Sequence, residues 1–310
     1  MKVTIKNRSK LFIMISLGVM LVALVMTIFG YGVNYGIDFA GGLNIEYNMN
    51  GTFNQADVDT ALKNQGLSDF KVSTTGMAGT TLTIRIPQLA SDEEIQTLQA
   101  GLEAELLEKY PAMDVNTAAA SYVGPTAGAT LVKNAILSVV LASVMMLIYI
   151  ALRFDVNSGM AAVLGLLHDV FIMYSFMVLF RGVIQMNSSF IAAMLTIVGY
   201  SINNTIVIFD RIRENHRKPE YAKLPREEVV NTSIAQSLGR TINTTLTTLV
   251  TIVSLYIMGV PSIREFSLPI IVGILAGLYS ANLINGYVWA YLEEKGSKRK
   301  KNAKLKAKKA

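Results

Sequence analysis

Two neighbouring ionisable residues, His168 and Asp169, lie in the middle of an otherwise uncharged stretch, residues 156–180. If that stretch crosses a membrane, a charge at its centre costs at least about 2.5 kcal/mol, so it needs a compensating partner. A proton relay, a partner on another helix and a structural hydrogen bond would each provide one. The pair is therefore a candidate for ion coupling and equally for structural bonding.

Further polar side chains recur in two other uncharged stretches. Tyr200, Asn203 and Asn204 are spaced so that they can share one helical face. Amides are less costly to bury than charges, and they either join helices or line a polar path. In the next stretch Thr244 belongs to a series of threonines that can bond their own helix. Arg240 precedes this series, where it either extends to the membrane surface or pairs between helices.

The sequence lacks the patterns that are typical of bond-making catalysis. There is no Cys and there are only two His, which excludes a thiolate nucleophile and disfavours a His-based metal site. No glycine-rich phosphate loop and no nucleophile with an adjacent base is present. We therefore predict that the protein is not an enzyme, has no ATPase activity of its own, and needs neither a cofactor nor a metal ion.

The composition predicts a membrane protein. Of the 310 residues 52% are hydrophobic and 16% are charged, whereas ordinary soluble domains carry about 25% charged residues. A helix needs about 20 apolar residues to cross the hydrocarbon core. The long gaps between charged residues accordingly predict six transmembrane helices, at residues 11–31, 130–152, 157–180, 188–210, 241–259 and 267–291.

The distribution of basic residues predicts the orientation. If residues 1–10 are cytoplasmic, the inner segments hold 21 of the 28 Lys and Arg residues, as expected from the positive-inside rule. Residues 211–240 then form an inner loop, and Gly239 is expected to end a separate amphipathic helix that lies on the membrane surface. The basic tail, residues 292–310, is expected to bind anionic lipid, and no nucleic acid is expected as a partner.

The remaining segment, residues 32–129, is predicted to fold as an extracytoplasmic α+β domain. Apolar side chains alternate from Leu43 to Met49, which indicates a half-buried strand. The carboxylates of this domain fall on the polar faces of its predicted helices, which is typical of a solvent-exposed surface. We therefore expect the domain to bind a partner or to move, and not to catalyse a reaction. The elements, at residues 43–49, 55–65, 70–73, 80–86, 91–106 and 113–121, follow the order βαββαβ of a ferredoxin-like fold.

Several motifs resemble the SecF members of the SecD/SecF family of protein-export membrane proteins. They are Gly36-Ile-Asp-Phe-Ala-Gly-Gly42, Val123-Gly-Pro125, His168-Asp169-Val170, the segment from Gly199 to Asn215, and Gln236 to Thr245. The resemblance covers nearly the whole chain in order, and the segment from Gly199 to Asn215 is its most specific part.

The resemblance implies a fold and a function. The fold would be an α-helical polytopic membrane protein, with six transmembrane helices in an RND-like half bundle and the ferredoxin-like domain outside. Together with SecD, such a subunit assists export of secreted proteins through SecYEG and SecA, in a bacterial or archaeal-type cell membrane. It acts at the outer face and draws on the proton or sodium gradient. The alternative is a subunit of a small-molecule RND-type exporter, which normally has twelve spans and two outer domains.

The chain departs from the family at the presumed coupling site. That site combines a carboxylate in the fourth span with an arginine at the fifth, and Arg240 matches the arginine. Many relatives have Asp where this chain has Asn204, and an amide does not titrate. Either SecD supplies the carboxylate, or His168 and Asp169 do, or coupling is reduced. The hypothesis is that SecD supplies it, with Asn204 and Arg240 as polar partners.

The glycine-rich segment after the first span has two interpretations. Gly36, Gly41 and Gly42 provide conformational freedom for a tight join between the span and the first strand. Together with Asp38 they are also hinge candidates for movement of the outer domain.

Overall fold

The computed structural model describes residues 9–75, 80–87, 92–182, 184–221 and 223–307. Parts of the predicted N-terminal segment and basic tail thus lie outside the described residues. The elements in chain order are α1 (Ser9–Ile28), α2 (Ile37–Ala40), β1 (Gly42–Asn48), α3 (Gln55–Asn64), β2 (Lys71–Thr75), β3 (Thr81–Ile86), α4 (Asp92–Lys109), β4 (Asp114–Val123), α5 (Pro125–Arg153), α6 (Val156–Leu179), α7 (Ser188–Arg217), α8 (Arg226–Met258), α9 (Pro261–Ser280) and α10 (Gly286–Ala307).

Among the described residues, six helices are long and apolar enough to cross a membrane. The helices are α1, α5, α6, α7, α8 and the continuous rod that α9 and α10 form. This confirms the predicted fold class. Most apolar side chains of α1 and α5 are exposed, whereas α6, α7 and α9 bury a large share of theirs. The first two helices therefore lie at the periphery, and the other three make the centre of the bundle.

The central helices approach closely because small residues separate them. Gly273 and Gly277 of α9 lie against Ile197 and Ser201 of α7. A Cβ atom at Gly277 would be 3.1 Å from the Ser201 Cβ. Absence of side chains at this spacing lets two helix backbones come together, as is typical of packing within membranes. The close approach places residues of α7 and α9 within hydrogen-bonding reach of α6.

The domain between α1 and α5 has the predicted ferredoxin-like topology. Its four strands form an antiparallel sheet in the order β2-β3-β1-β4, and β1 pairs with both β3 and β4. Leu43, Ile45 and Tyr47 of β1 are fully buried, because alternate side chains of a strand face the same side. They pack against Leu62 of α3 and Leu102 of α4. The two helices therefore cover one face of the sheet.

The structure contradicts the expected amphipathic surface helix. Helix α8 runs without interruption from Arg226 to Met258 and passes through Gly239. Val230 and Ile234 are buried in the same cluster as Ile212 of α7. A single glycine inside a helix costs only about 1 kcal/mol, so packing of this apolar face against α7 outweighs it. The amphipathic pattern thus reflects a protein core and not a membrane surface.

Helix α7 is likewise longer than predicted and continues to Arg217, so the connection to α8 is short. The last span contains an irregular turn. Residues Ala281–Asn285 form a π-helical segment between α9 and α10. Such segments are rare and often occur at functional sites.

Candidate functional site

Asp169 lies at the meeting point of three central helices and is fully buried. One carboxylate oxygen, Oδ1, is 2.8 Å from Nδ1 of the adjacent His168. The other oxygen, Oδ2, accepts hydrogen bonds from the hydroxyl of Ser280 at 2.9 Å and from the hydroxyl of Ser201. A buried charge must be compensated by hydrogen bonds or a counter-ion. The carboxylate thus ties α6 to α7 and to the end of α9.

His168 extends this site toward α1. Its imidazole stacks on the ring of Tyr279, with centroids 6.1 Å apart, and the Tyr279 hydroxyl donates to the Phe12 carbonyl oxygen at 2.7 Å. Its Nε2 atom is buried and has no hydrogen-bond partner within the described ranges. If Nδ1 carries the proton and donates it to Asp169, Nε2 is left as a free acceptor. In that tautomer Nε2 has a lone pair that can accept a hydrogen bond or a proton.

A second polar layer joins α7 to α8 and to the π-helical segment. The Asn204 side chain is buried, and its Nδ2 donates to the Thr245 hydroxyl at 3.4 Å. Asn285 donates to the Thr205 hydroxyl at 2.9 Å. Asn285 also lies directly over Gly165, where any Cβ atom would overlap its amide. This layer consists of amides and hydroxyls, so it stabilises helix contacts without a titrating group.

Several predicted site residues lie apart from Asp169. Asn203 and Arg240 are exposed, although the sequence spacing predicted that Asn203 could share one helical face with the buried Asn204. Adjacent residues in a helix point about 100° apart, so only one of the two asparagines can face inward. The Thr244 hydroxyl bonds the Arg240 carbonyl oxygen at 2.8 Å, and the Tyr200 hydroxyl donates to the Thr244 carbonyl oxygen at 3.2 Å. The role of Asn204 and Arg240 as polar partners of a carboxylate from SecD stays a prediction.

The residues that the sequence did not indicate are Ser201 and Ser280. Hydroxyls in apolar helices commonly bond their own backbone, so their type carries little information. Ser280 follows Gly277 by three residues, and Gly277 is the residue that packs on Ser201. The glycine spacing in α9 was a weak signal for a close helix contact at this level.

The four hinge candidates form a packed joint between α1, the sheet and α7. The backbone N–H of Gly36 donates to the Met186 carbonyl oxygen at 2.8 Å. The Asp38 carboxylate accepts from the Ser188 backbone N–H at 2.8 Å, at the first residue of α7. Gly41 and Gly42 have φ angles of 77° and 115°.

At Gly42 the packing adds a second constraint to the backbone conformation, because a Cβ atom there would lie 2.5 Å from the Ile86 carbonyl oxygen. The joint therefore requires glycine at this position, for conformation as well as for space. Its contacts describe a tight join between the span and the sheet. Hinge movement at this joint stays a prediction.

These features define a class of protein: a polytopic membrane protein with a carboxylate buried between its spans and a ferredoxin-like domain after the first. The family described as protein export membrane protein SecD/SecF, C-terminal, matches residues 103–295, and the SecD/SecF GG motif matches residues 27–50. The chain belongs to the SecD/SecF family of protein-export membrane proteins.

Individual relatives agree with this family. The chain is 34% identical to the SecF protein of Haemophilus influenzae over 270 residues, which cover 86% of the chain and 80% of that protein. It is 34% identical to SecDF of Bacillus subtilis over 96% of the chain but only 39% of that protein. The crystal structure of Thermus thermophilus SecDF superimposes with a TM-score of 0.82 at 31% identity, covering 95% of this chain and 39% of that one.

The chain thus matches SecF proteins along most of their length and the longer SecDF proteins over about two fifths. These relatives are named as protein translocase subunits, so the chain is an accessory membrane subunit of the Sec translocase type. Membership of the SecD/SecF family supports this function over the alternative, a subunit of a small-molecule RND-type exporter.

Proposed function

We propose that this subunit works with a SecD-type partner and uses an ion gradient, of protons or of sodium, to assist protein export through SecYEG and SecA. The partner is supported by the SecDF relatives, whose chains are more than twice as long as the aligned segment. The uneven distribution of Lys and Arg supports cytoplasmic termini and an outer α+β domain. In this orientation the α+β domain would assist export at the outer face of the membrane.

A partner bundle would cover the exposed polar face of α7 and α8. Asn203 and Arg240 are exposed on this face, and neither side chain bonds another residue in the described part of the chain. Polar side chains that face lipid along a span are costly unless protein or water covers them. Arg240 is suited to meet a carboxylate of the SecD-type partner, which would supply the acidic group that Asn204 does not.

The observation that carries the coupling proposal is the hydrogen-bonding of Asp169 to two other helices. As a carboxylate, it accepts bonds from both Ser201 and Ser280. Once protonated, it must donate one bond, so at least one hydroxyl has to reorient. Binding of an ion would similarly compete with the two hydroxyls. Either event changes how α7 and α9 are held against α6.

Helix α7 connects this site to the outer joint. It is one continuous helix from Ser188 to Arg217, with Ser201 at Asp169 and Ser188 at Asp38. Thirteen residues of helix separate the two contacts, which is about 20 Å. A displacement of α7 at Asp169 would therefore reach the joint that holds the outer domain. The mechanism requires no covalent step.

The test replaces Asp169 by the isosteric Asn and measures precursor export with the gradient present and collapsed. We expect Asp169→Asn to lower export to the level of the collapsed gradient, because an amide cannot exchange a proton. The matched control is Asp210→Asn, at an exposed carboxylate of α7 that lies 3.8 Å from Arg153.

Copurification with a SecD-type protein and the SecYEG channel should be the same for both variants and for the unchanged chain. Full gradient-dependent export by Asp169→Asn would contradict the coupling role. Absence of a SecD-type protein from every preparation would contradict the partnership.

A further inference from the structure

A cavity of about 510 Å³ opens between the ends of α5, α6, α7 and α10, on the side of the bundle that carries Arg153. Its lining includes Arg153, Arg213 and Arg217, together with Phe154 and Trp289. None of these residues belongs to the Asp169 site or to the joint of the outer domain. The proposed coupling therefore does not involve this cavity, and its lining residues indicate a separate function.

The arginines of this cavity concentrate positive charge. The guanidinium carbons of Arg153 and Arg213 lie 5.3 Å and 5.9 Å from the centroid of the same ring, Phe154. The Arg213 Nη1 donates a long bond of 3.4 Å to the Arg153 carbonyl oxygen. Arg217 is exposed, and no residue in the described segments bonds its guanidinium. The ring thus holds two like charges close together, and a third lines the same cavity.

The acidic residues of the cavity are already engaged within the chain. The Asp155 carboxylate caps the first turn of α6 and accepts from the Ser158 backbone N–H at 3.2 Å. The Glu293 Oε2 accepts from the Asn157 amide at 2.6 Å. An exposed Asp210 lies 3.8 Å from Arg153, which is a long and weak ion pair. The arginines therefore keep donors available for an anion from outside.

The side chains around the cavity are typical of a membrane interface. Two apolar side chains next to its basic wall are strongly exposed, Leu152 at 84% and Val156 at 72%. Trp289 lines the cavity, and the exposed Tyr291 follows on the same helix. Tryptophan and tyrosine are enriched where the hydrocarbon meets the headgroups. A molecule with an anionic head and an apolar tail fits this combination of surfaces.

We propose that this cavity binds the phosphate headgroup of an anionic membrane phospholipid. The guanidinium groups of Arg213 and Arg217 would contact the phosphate oxygens, since guanidinium and phosphate pair with matching geometry. The acyl chains would lie beside Leu152 and Val156. Anionic lipid is enriched in the cytoplasmic leaflet, which is where the positive-inside rule places this end of the bundle. The site is independent of the proposed export function.

Trp289 is the single tryptophan of the chain, so its emission reports on this cavity alone. The full-length protein is reconstituted in phosphatidylcholine vesicles that contain increasing amounts of brominated phosphatidylglycerol, and a parallel series contains brominated phosphatidylcholine. We expect phosphatidylglycerol to quench Trp289 at several-fold lower mole fraction. Arg217→Gln should reduce this preference about fivefold, as expected from about 1 kcal/mol per basic residue near anionic lipid.

The matched control is Lys223→Gln, which removes one exposed positive charge from the nearby loop outside the cavity. It should leave the preference unchanged, and Arg213→Gln should repeat the effect of Arg217→Gln in protein with unchanged helical circular dichroism. Equal losses in the Arg217 and Lys223 variants would overturn the site in favour of general charge attraction. A saturable emission change with inorganic phosphate in pure phosphatidylcholine vesicles would overturn the lipid assignment in favour of a free anion.

Discussion

A buried carboxyl group forms different hydrogen bonds in its two protonation states, and the surroundings of Asp169 can satisfy both. When ionised it accepts from two hydroxyls, and when protonated it donates one bond. In the proposed mechanism His168 delivers a proton to it, and the hydroxyls of Ser201 and Ser280 can either donate or accept. Asn204 lies on α7 three residues after Ser201, and among the described residues its side chain bonds only the Thr245 hydroxyl. Both side chains are buried, but the Asp169 carboxyl group can gain or lose a proton and the Asn204 amide cannot.

The residue-scale prediction concerns Asn204. Asn204→Asp keeps the shape of the side chain, and the Thr245 hydroxyl can turn to donate to it. We expect gradient-dependent export to stay within about twofold of the unchanged chain, a difference of about 0.4 kcal/mol, because the proposed mechanism assigns the titrating groups to Asp169 and the partner. Export is measured with the gradient intact and, as the control, collapsed. A large gain confined to the intact gradient would show that the missing carboxylate limits coupling.

The sequence could predict the ionisable members of the site but not their geometry. His168 and Asp169 are conspicuous because charge is rare within an apolar stretch. Ser201 and Ser280 are not, because serine is common in membrane helices and usually bonds its own backbone. The inward or outward direction of Asn203 and Asn204 depends on helix rotation, which packing with α8 and α9 decides.

At the scale of elements, close helix contacts depend on missing side chains. Gly277 lets α9 approach Ser201, and Gly165 of α6 lies under the amide of Asn285. The same argument explains α8, whose apolar face packs on α7, so that Gly239 does not end it. Local signals alone predict a helix end at that glycine. Packing of α8 against α7 outweighs the tendency of Gly239 to end the helix. The sequence of α8 does not reveal that α7 is its packing partner.

The element-scale prediction uses two glycines in spans. Gly165→Ala places a methyl group against the buried Asn285 amide, which is held by Thr205, and should lower the free energy of unfolding by about 1–3 kcal/mol. Gly18→Ala is the matched control, because nothing lies within 4 Å of its Cβ position in α1. It should be neutral or stabilising, since alanine favours helix by about 1 kcal/mol. Thermal unfolding in detergent measures both, and equal stability of the two variants would contradict the packing argument.

At the scale of the whole molecule, local patterns were enough to predict the architecture. The six spans follow from long runs without charge, the βαββαβ order follows from alternating and helical spacing of apolar residues, and the structure contains both. The joint between the two parts was less predictable. Its contacts connect Asp38 with Ser188, which are 150 residues apart, and no local pattern reports such a distance. In the proposed mechanism, a movement in the bundle reaches the sheet of the α+β domain through this joint.

The orientation of the molecule is the prediction on which this coupling depends, and the chain has no cysteine that would complicate its measurement. Ser68→Cys introduces a thiol at an exposed position of the α+β domain, and Lys223→Cys does so between α7 and α8. In intact spheroplasts a membrane-impermeant maleimide should label Ser68→Cys at once, because the uneven distribution of Lys and Arg places that domain outside. Lys223→Cys should react only after lysis, and both variants should react fully in detergent, which controls for accessibility. The reverse pattern would place the domain in the cytoplasm, where a displacement of α7 could not act on an exported chain.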